Sequence, residues 1–331
     1  MKWFERLTGF KEETPDQVRS NISVDGECLT SRINGATYRH GRLEVPSLAE
    51  LRKRTGPPSG RKGISVDQIS ADVRSLHRDP ASAGALFQVA SQFNLLEMVS
   101  PNVTPEMGVG IYENDPTQGP ACAIAAGAGT IYRNYFASVN GSTGQSASNQ
   151  IDCLQDLGGE LGNVDDRLWR MSNGYALATE QGLHEISSRL RSADEDELDR
   201  LRGLLRIGVH SGTEVTDDNA GHTVSQAYCS ALPVAYTTHS PELWEPFARL
   251  ALEAAYECTL RTALLNPQEN GADRVFLTYL GGGVFGNKME WIVDAMERAV
   301  RLVRDHHLKV TIVNRGPARS EIQEMIKRIA V

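Results

Sequence analysis

The chain has 331 residues, with 34 Lys and Arg against 42 Asp and Glu, a formal net charge of −8 and 40% hydrophobic residues. That length suits one large α/β domain or two small ones and buries a core without disulfides or a structural metal. The acidic balance excludes a general nucleic-acid binder, which needs surplus Lys and Arg to neutralise phosphates, but leaves room for one phosphate held by backbone N–H groups.

Cys28, Cys122, Cys153, Cys229 and Cys258 are scattered and make no CxxC pair. Neither a zinc site nor a disulfide framework is expected, and the thiols read as small buried groups in a reducing compartment. No apolar run follows Met1, and no stretch is long enough to span a bilayer. No signal peptide and no membrane partner are expected, and a cytoplasmic address follows.

Residues 1–60 read as an N-terminal arm. Leu51–Lys62 closes it as a turn-rich linker with Pro57, Pro58 and Gly60. The main domain is expected over 61–331. Val66, Ile69, Val73 and Leu76 recur at spacings of three and four and predict a helix over Ser65–His77. Ala85–Phe93 is the first clear strand. Met98–Pro120 is a long loop rich in Pro and Gly, the kind that is usually functional in a compact domain. Ala121–Phe136 reads as a Gly/Ala-rich turn entering a helix, and Tyr175–Leu190 as a helix. A shorter helix or turn follows over Asp194–Leu205. Strands are predicted at Leu205–His210 and Val224–Tyr236, and a helix at Trp244–Leu265 with Pro246 in its first turn. Arg274–Leu280 is apolar enough to be buried on both faces. Three glycines end it, an amphipathic helix follows over Asn287–Arg304, and Leu308–Val313 is a second buried strand. This is a βαβ unit on a parallel sheet. A last helix spans Ser320–Ile329.

Four segments carry candidate chemistry. LTYLGGGVFGN, Leu277–Asn287, delivers Gly281, Gly282 and Gly283 from a buried strand to a helix start. That arrangement suits a pyrophosphate or a plain tight turn equally. It is neither GxGxxG nor a P-loop. In FQVASQFN, Gln92 and Asn94 either cap their own turn or face a ligand. Tyr112–Phe136 gathers Glu113, Asp115, Gln118 and Gly119 on a loop before Gly127-Ala128-Gly129. A carboxylate there would bind a ribose diol or activate water, or simply be solvated. In His210–Gln226, Glu214 lies nearest a strand end. His210 and His222 have no recognised metal-ligand spacing, so no metal is expected.

Taken together, these segments resemble a macrodomain over roughly Ala85 to the end. The strand ending in Asn94, the Gly127-Ala128-Gly129 segment and LGGGVFGN stand in that family's order. FQVASQFN, YENDPTQGPACAIA, TEVT and VSQAYCSALPVAY are most similar to the larger MavL-type macrodomains, described as arginine-specific ADP-ribosyl hydrolases. The resemblance implies a three-layer α/β/α fold with a mixed, largely parallel sheet and an N-terminal extension. Its ligand would be ADP-ribose, with no cofactor, and its substrate an ADP-ribosylated protein. It implies a diphosphate cradle at Gly281, Gly282, Gly283, Val284, Phe285, Gly286 and Asn287. Distal-ribose contacts fall to Gln92 and Asn94, and the first ligand loop to Gln118, Gly119, Gly127, Ala128 and Gly129. Asp115 is the first choice for the catalytic carboxylate, with Glu113 or Glu214 second. The family's adenine-binding Asp has only poorly spaced counterparts, Asp67 and Asp79. Two further functions fit the same residues: a module that binds ADP-ribose without cleaving it, and a metal-dependent phosphoesterase acting on ADP-ribose derivatives. A purely structural role would leave both glycine loops without a purpose.

Overall fold

Arg274–Leu277 places Val275 and Leu277 in one apolar cluster and Phe276 in another, so the strand is covered on both faces. The computed structural model describes residues 2–58 and 63–329. Its central sheet has seven strands: β1 (Arg42–Glu44), β2 (Ser65–Ser70), β3 (Leu86–Ala90), β4 (Gly208–Glu214), β5 (Thr223–Cys229), β6 (Arg274–Leu277) and β7 (Lys309–Asn314). Their order is β1-β4-β5-β3-β6-β7-β2. The pairs β4–β1 and β4–β5 are antiparallel, and β5–β3, β3–β6, β6–β7 and β7–β2 are parallel. The sheet is therefore mixed and largely parallel.

Helices cover both faces. On one side lie α1 (Val73–Arg78), α2 (Gln118–Ala125) and α3 (Gly127–Tyr135), backed by the N-terminal segment. On the other lie α4 (Pro241–Asn270), α5 (Met289–Leu302) and α6 (Ser320–Ile329). β6, α5 and β7 form the expected βαβ unit, with register Arg274↔Lys309 to Leu277↔Ile312.

Several elements differ from expectation, each for an identifiable reason. Ser65–Ser70 is a strand, because it pairs in parallel with β7 along its whole length. The helix begins only after Asp72, whose carboxylate caps Ser75. Tyr175–Ala178 is also a strand, in a hairpin with Trp169–Ser172 around Asn173-Gly174. Asn-Gly is a strong hairpin signal. The helix there starts at Glu180, capped by Thr179. β4 runs on to Glu214, through a segment expected to be loop, because β5 pairs with it out to that residue. α4 begins at Pro241, so Pro246 stands inside the helix rather than in its first turn.

The arm is built into the fold. It holds a three-stranded sheet (Ile22–Asp25, Cys28–Ser31, Thr37–Arg39) and supplies β1 to the central sheet. The expected division near residue 60 separates one strand from the sheet it belongs to. Residues 59–62 of the expected linker, with Gly60 and Lys62, lie outside the described residues. Among the described residues no helix is long and apolar enough to cross a membrane.

Candidate functional site

The cleft begins where two strands part. β3 and β6 pair only at Leu86–Val275 and Phe87–Phe276. Beyond that rung the β6-facing edge of β3 has lost its partner strand, and Gln118 takes the place. Its Oε1 accepts the Ala90 N–H at 2.9 Å and its Nε2 donates to the Gln88 carbonyl at 2.8 Å. One side-chain amide thus stands in for a strand and fixes the start of α2 to the sheet. Such gaps at the carboxyl ends of parallel strands are where open α/β sheets bind ligands.

Two lobes meet at this gap. The first, about 840 Å³, lies over the ends of β2, β6 and β7. It is floored by Phe87 and Phe276, whose rings stack with centroids 4.6 Å apart. Arg74, Arg315 and Arg319 line it, with Arg319 over the Tyr279 ring at 5.3 Å. The second, about 410 Å³, lies beyond the end of β3. Asp115, Thr117, Gln118, Thr278, Tyr279 and Gly283 border both, so the lobes share a waist. Together they suit a long ligand with two unlike ends.

The second lobe is lined by carboxyls and rings. Tyr175, Tyr236 and Phe285 form a triangle with centroids 5.1–5.5 Å apart. Glu97 and Asp115 line the same lobe, and no Lys, Arg or His does among the described residues. Glu97 is only 3% exposed, and its Oε1 has no hydrogen-bond partner among the described residues. Burial pushes its pKa well up; the Arg133 guanidinium pulls it partly back, and the nearby Asp115 pushes it up again. Glu97 is therefore the more easily protonated of two neighbouring carboxyls, the kind of pair that divides acid and base roles.

Glu97 is missed by the sequence reading. The available signal is a lone acid inside an apolar run, Leu95-Leu96-Glu97-Met98, where a charged residue is not expected to be buried. Gln92 and Asn94, expected at the ribose, instead fold the turn that presents Glu97. Gln92 Oε1 accepts the Met98 N–H at 2.8 Å, and Asn94 Oδ1 accepts the Leu96 N–H at 3.1 Å. Inside the spans these two bonds close, Leu95 is held at φ 66°, a left-handed conformation that costs a non-glycine residue about 1–2 kcal/mol. Gln92 still lines the second lobe, whereas Asn94 is wholly buried and does not.

The loop Glu113–Gly119 brings the remaining acids and the close approach. Asp115 Oδ1 accepts the Thr117 N–H at 2.9 Å, which shapes the turn into α2. Gly119 is required there: a Cβ would lie 2.0 Å from the Ala90 carbonyl and 2.2 Å from Glu97 Oε2. Glu113 borders the first lobe, where its Oε2 accepts the Trp3 N–H at 3.1 Å.

The glycine turn after β6 faces both lobes through Gly281, Gly282, Gly283, Val284 and Phe285. The N–H groups of Gly283, Val284 and Phe285 meet no acceptor among the described residues, so three consecutive donors are available to an anion. Gly286 and Asn287 stand behind the turn. Asn287 does not cap α5; its Nδ2 donates to the Leu232 carbonyl at 2.9 Å and its N–H to the Gly281 carbonyl at 3.0 Å, closing the loop.

Other expected residues lie elsewhere. Gly127, Ala128 and Gly129 are not a ligand loop. They are the buried first turn of α3, packed near Trp3, Leu7, Thr213 and His210. Glu214 ends β4, which runs antiparallel to β5. It therefore sits at the opposite edge of the sheet from the cleft, accepting the Arg39 N–H at 2.8 Å. Asp67 and Asp79 do not line the cleft, and Asp72 does. His210 contacts Arg133, and His222 contacts the His77 carbonyl. Among the described residues no group of three His, Cys, Asp or Glu is placed to hold a metal.

No family model and no curated protein matches this sequence. Solved structures do. The chain resembles a poly(ADP-ribose) glycohydrolase from Thermomonospora curvata at 11% identity over 98% of both chains, with a TM-score of 0.48. It also resembles the Deinococcus radiodurans poly(ADP-ribose) glycohydrolase in complex with ADP-ribose, at 12% identity over 87% of this chain and 95% of that one, with a TM-score of 0.47. Likeness at this level transfers no residue roles and no activity.

Proposed function

We propose that the cleft binds ADP-ribose carried on an arginine side chain and hydrolyses the bond between ribose C1″ and the guanidinium nitrogen. The observation that carries this reading is the uneven distribution of cationic side chains. Arg74, Arg315 and Arg319 border the first lobe beside Asp72, Glu113 and Asp115, whereas the second has Glu97, Asp115 and the rings of Tyr175, Tyr236, Tyr279 and Phe285 but no cationic side chain among the described residues. A ligand with an anionic middle and a cationic end matches that order. The glycine turn offers consecutive N–H groups to the diphosphate. The carboxyls and ring faces favour a guanidinium and an oxocarbenium-like transition state. The resemblance of the sequence to MavL-type macrodomains points the same way.

In this reading the C1″–N bond breaks with its electron pair going to the guanidine. Water forms the new C1″–O bond. Asp115 takes the proton that water loses and passes it to the departing guanidine, which leaves as guanidinium. Glu97, protonated, donates a hydrogen bond to the distal ribose. Gln118 and Gly119 hold the loop against the sheet.

Calorimetry with ADP-ribose, with AMP as control, tests the cleft. Release of ADP-ribose from ADP-ribosylarginine tests the chemistry. Asp115→Ala is expected to lower kcat by roughly 10²–10⁴-fold while ADP-ribose affinity stays within about threefold. Absence of ADP-ribose binding by folded protein, or full turnover by Asp115→Ala, overturns the assignment.

A further inference from the structure

We propose that the N-terminal arm is a working part of the site, with Glu12 as the residue that sets the positions of both Asp115 and Glu97. The inference rests on the roles given to those two carboxyls above. The long loop between β3 and α2 has little regular structure beyond the short turns Pro105–Met107 and Gly110–Asn114. Segments of that kind need anchors. Glu12, from the N-terminal arm, supplies two at one carboxylate and ties them to α3 with a third bond. The Val109 N–H donates to Oε1 at 3.0 Å, the Gly110 N–H to Oε2 at 2.6 Å and the Tyr135 hydroxyl to Oε1 at 2.7 Å. Gly110 leaves the room: a Cβ there would stand 2.7 Å from Oε2.

The pinned turn leads directly to both acids. The Asp115 N–H donates to the Tyr112 carbonyl at 3.1 Å and closes the turn Gly110–Asn114. The Tyr112 hydroxyl accepts the Glu97 N–H at 3.0 Å. Tyr112 is itself buried, so it carries the position of the turn to Glu97 with little slack. A second clamp holds the same turn, where the Trp3 N–H meets Glu113. Glu12 touches neither lobe. It is a positioning residue, and its signature is a loss of turnover larger than the loss of ligand affinity.

Glu12→Gln keeps the size of the side chain but leaves one acceptor oxygen for three donors. The expected result is faster amide hydrogen exchange over residues 109–115, and a kcat on ADP-ribosylarginine lower by roughly 10–100-fold. ADP-ribose affinity should stay within about threefold of wild type. Tyr135→Phe removes one of the three bonds and is expected to give the same pattern at smaller size, which keeps the test available if Glu12→Gln does not fold. Unchanged exchange over 109–115 in both variants overturns the inference, as does an equal loss of affinity and turnover. If wild-type protein does not cleave ADP-ribosylarginine, the proposed function fails separately, and the exchange data alone decide the role of Glu12.

Discussion

Glu97 shows how a single residue departs from what its type predicts. A carboxyl that is 3% exposed and has an oxygen without a hydrogen-bond partner among the described residues is costly when ionised, and burial is the main cause of its raised pKa. A folded-state pKa above the unfolded value means that the group favours the fold at low pH. That contribution is lost as pH rises through the folded value. Glu97→Gln removes the titration and keeps the shape. Urea unfolding of the two proteins at pH 5 and pH 9 should therefore show wild type losing more stability between the two than Glu97→Gln does. A pH dependence identical in both proteins would remove the protonated Glu97 from the account. The sequence holds a trace of this residue, as an acid among Leu95, Leu96 and Met98. Periodicity could not reveal it, because the turn that buries it depends on side-chain amides and a left-handed leucine. Asp115 was easier to single out, since it lies on a loop crowded with carboxylates and glycines.

At the scale of elements, legibility followed length and periodicity. The helix Ser320–Ile329 and the β6–α5–β7 unit are readable from their apolar patterns. β1 and the small N-terminal strands, three or four residues each, are too short to show a period and take their structure from the partners they meet. Gly127 and Gly129 misled for a different reason, since glycines serve close packing as readily as ligand approach. Gly119, like Gly281, is a glycine at the cleft that has no room to change. Gly119→Ala would place a methyl group against the Ala90 carbonyl, a backbone atom that cannot swing aside. The expected cost is about 1–3 kcal/mol of stability by denaturant unfolding. Roughly tenfold weaker ADP-ribose binding is expected with it, the equivalent of about 1.4 kcal/mol. Wild-type affinity in this variant would show that the loop relaxes without disturbing the lobe.

Across the whole molecule, the arm, α4 and α5 are joined at one buried acid. Glu257 accepts from Arg52 at 2.7 Å through both its oxygens, and from Arg261 and Arg298 at 3.0 Å. Burial alone would raise its pKa, yet hydrogen bonds from Arg52 first, then Arg261 and Arg298, hold it down at about 2. Its contribution to stability is present above the ordinary Glu value and is lost as pH falls towards 2. Glu257→Ala is expected to cost about 3–5 kcal/mol at neutral pH, because three guanidinium groups lose their shared partner. With Glu257→Gln, the stability gap to wild type should narrow on acidification below pH 4.5; a gap that widens would contradict the assignment. The scattered short elements of residues 2–58 hide this integration from a linear reading. Arg52 and β1 both tie the segment to the main body, at partners far away in sequence.

The amide of Gln118 has one more consequence, for how the protein tolerates change. Two hydrogen bonds to β3 make this side chain a ruler: its length sets the distance between sheet and loop. Glutamate, of equal length, would lose the donor, and asparagine, with the right chemistry, would fall short by one methylene. Neither neighbour in chemical space preserves both the spacing and the polarity. Drift at position 118 is therefore confined more tightly than at Asp115 itself, where a carboxylate on a slightly different stem could still reach into the lobe.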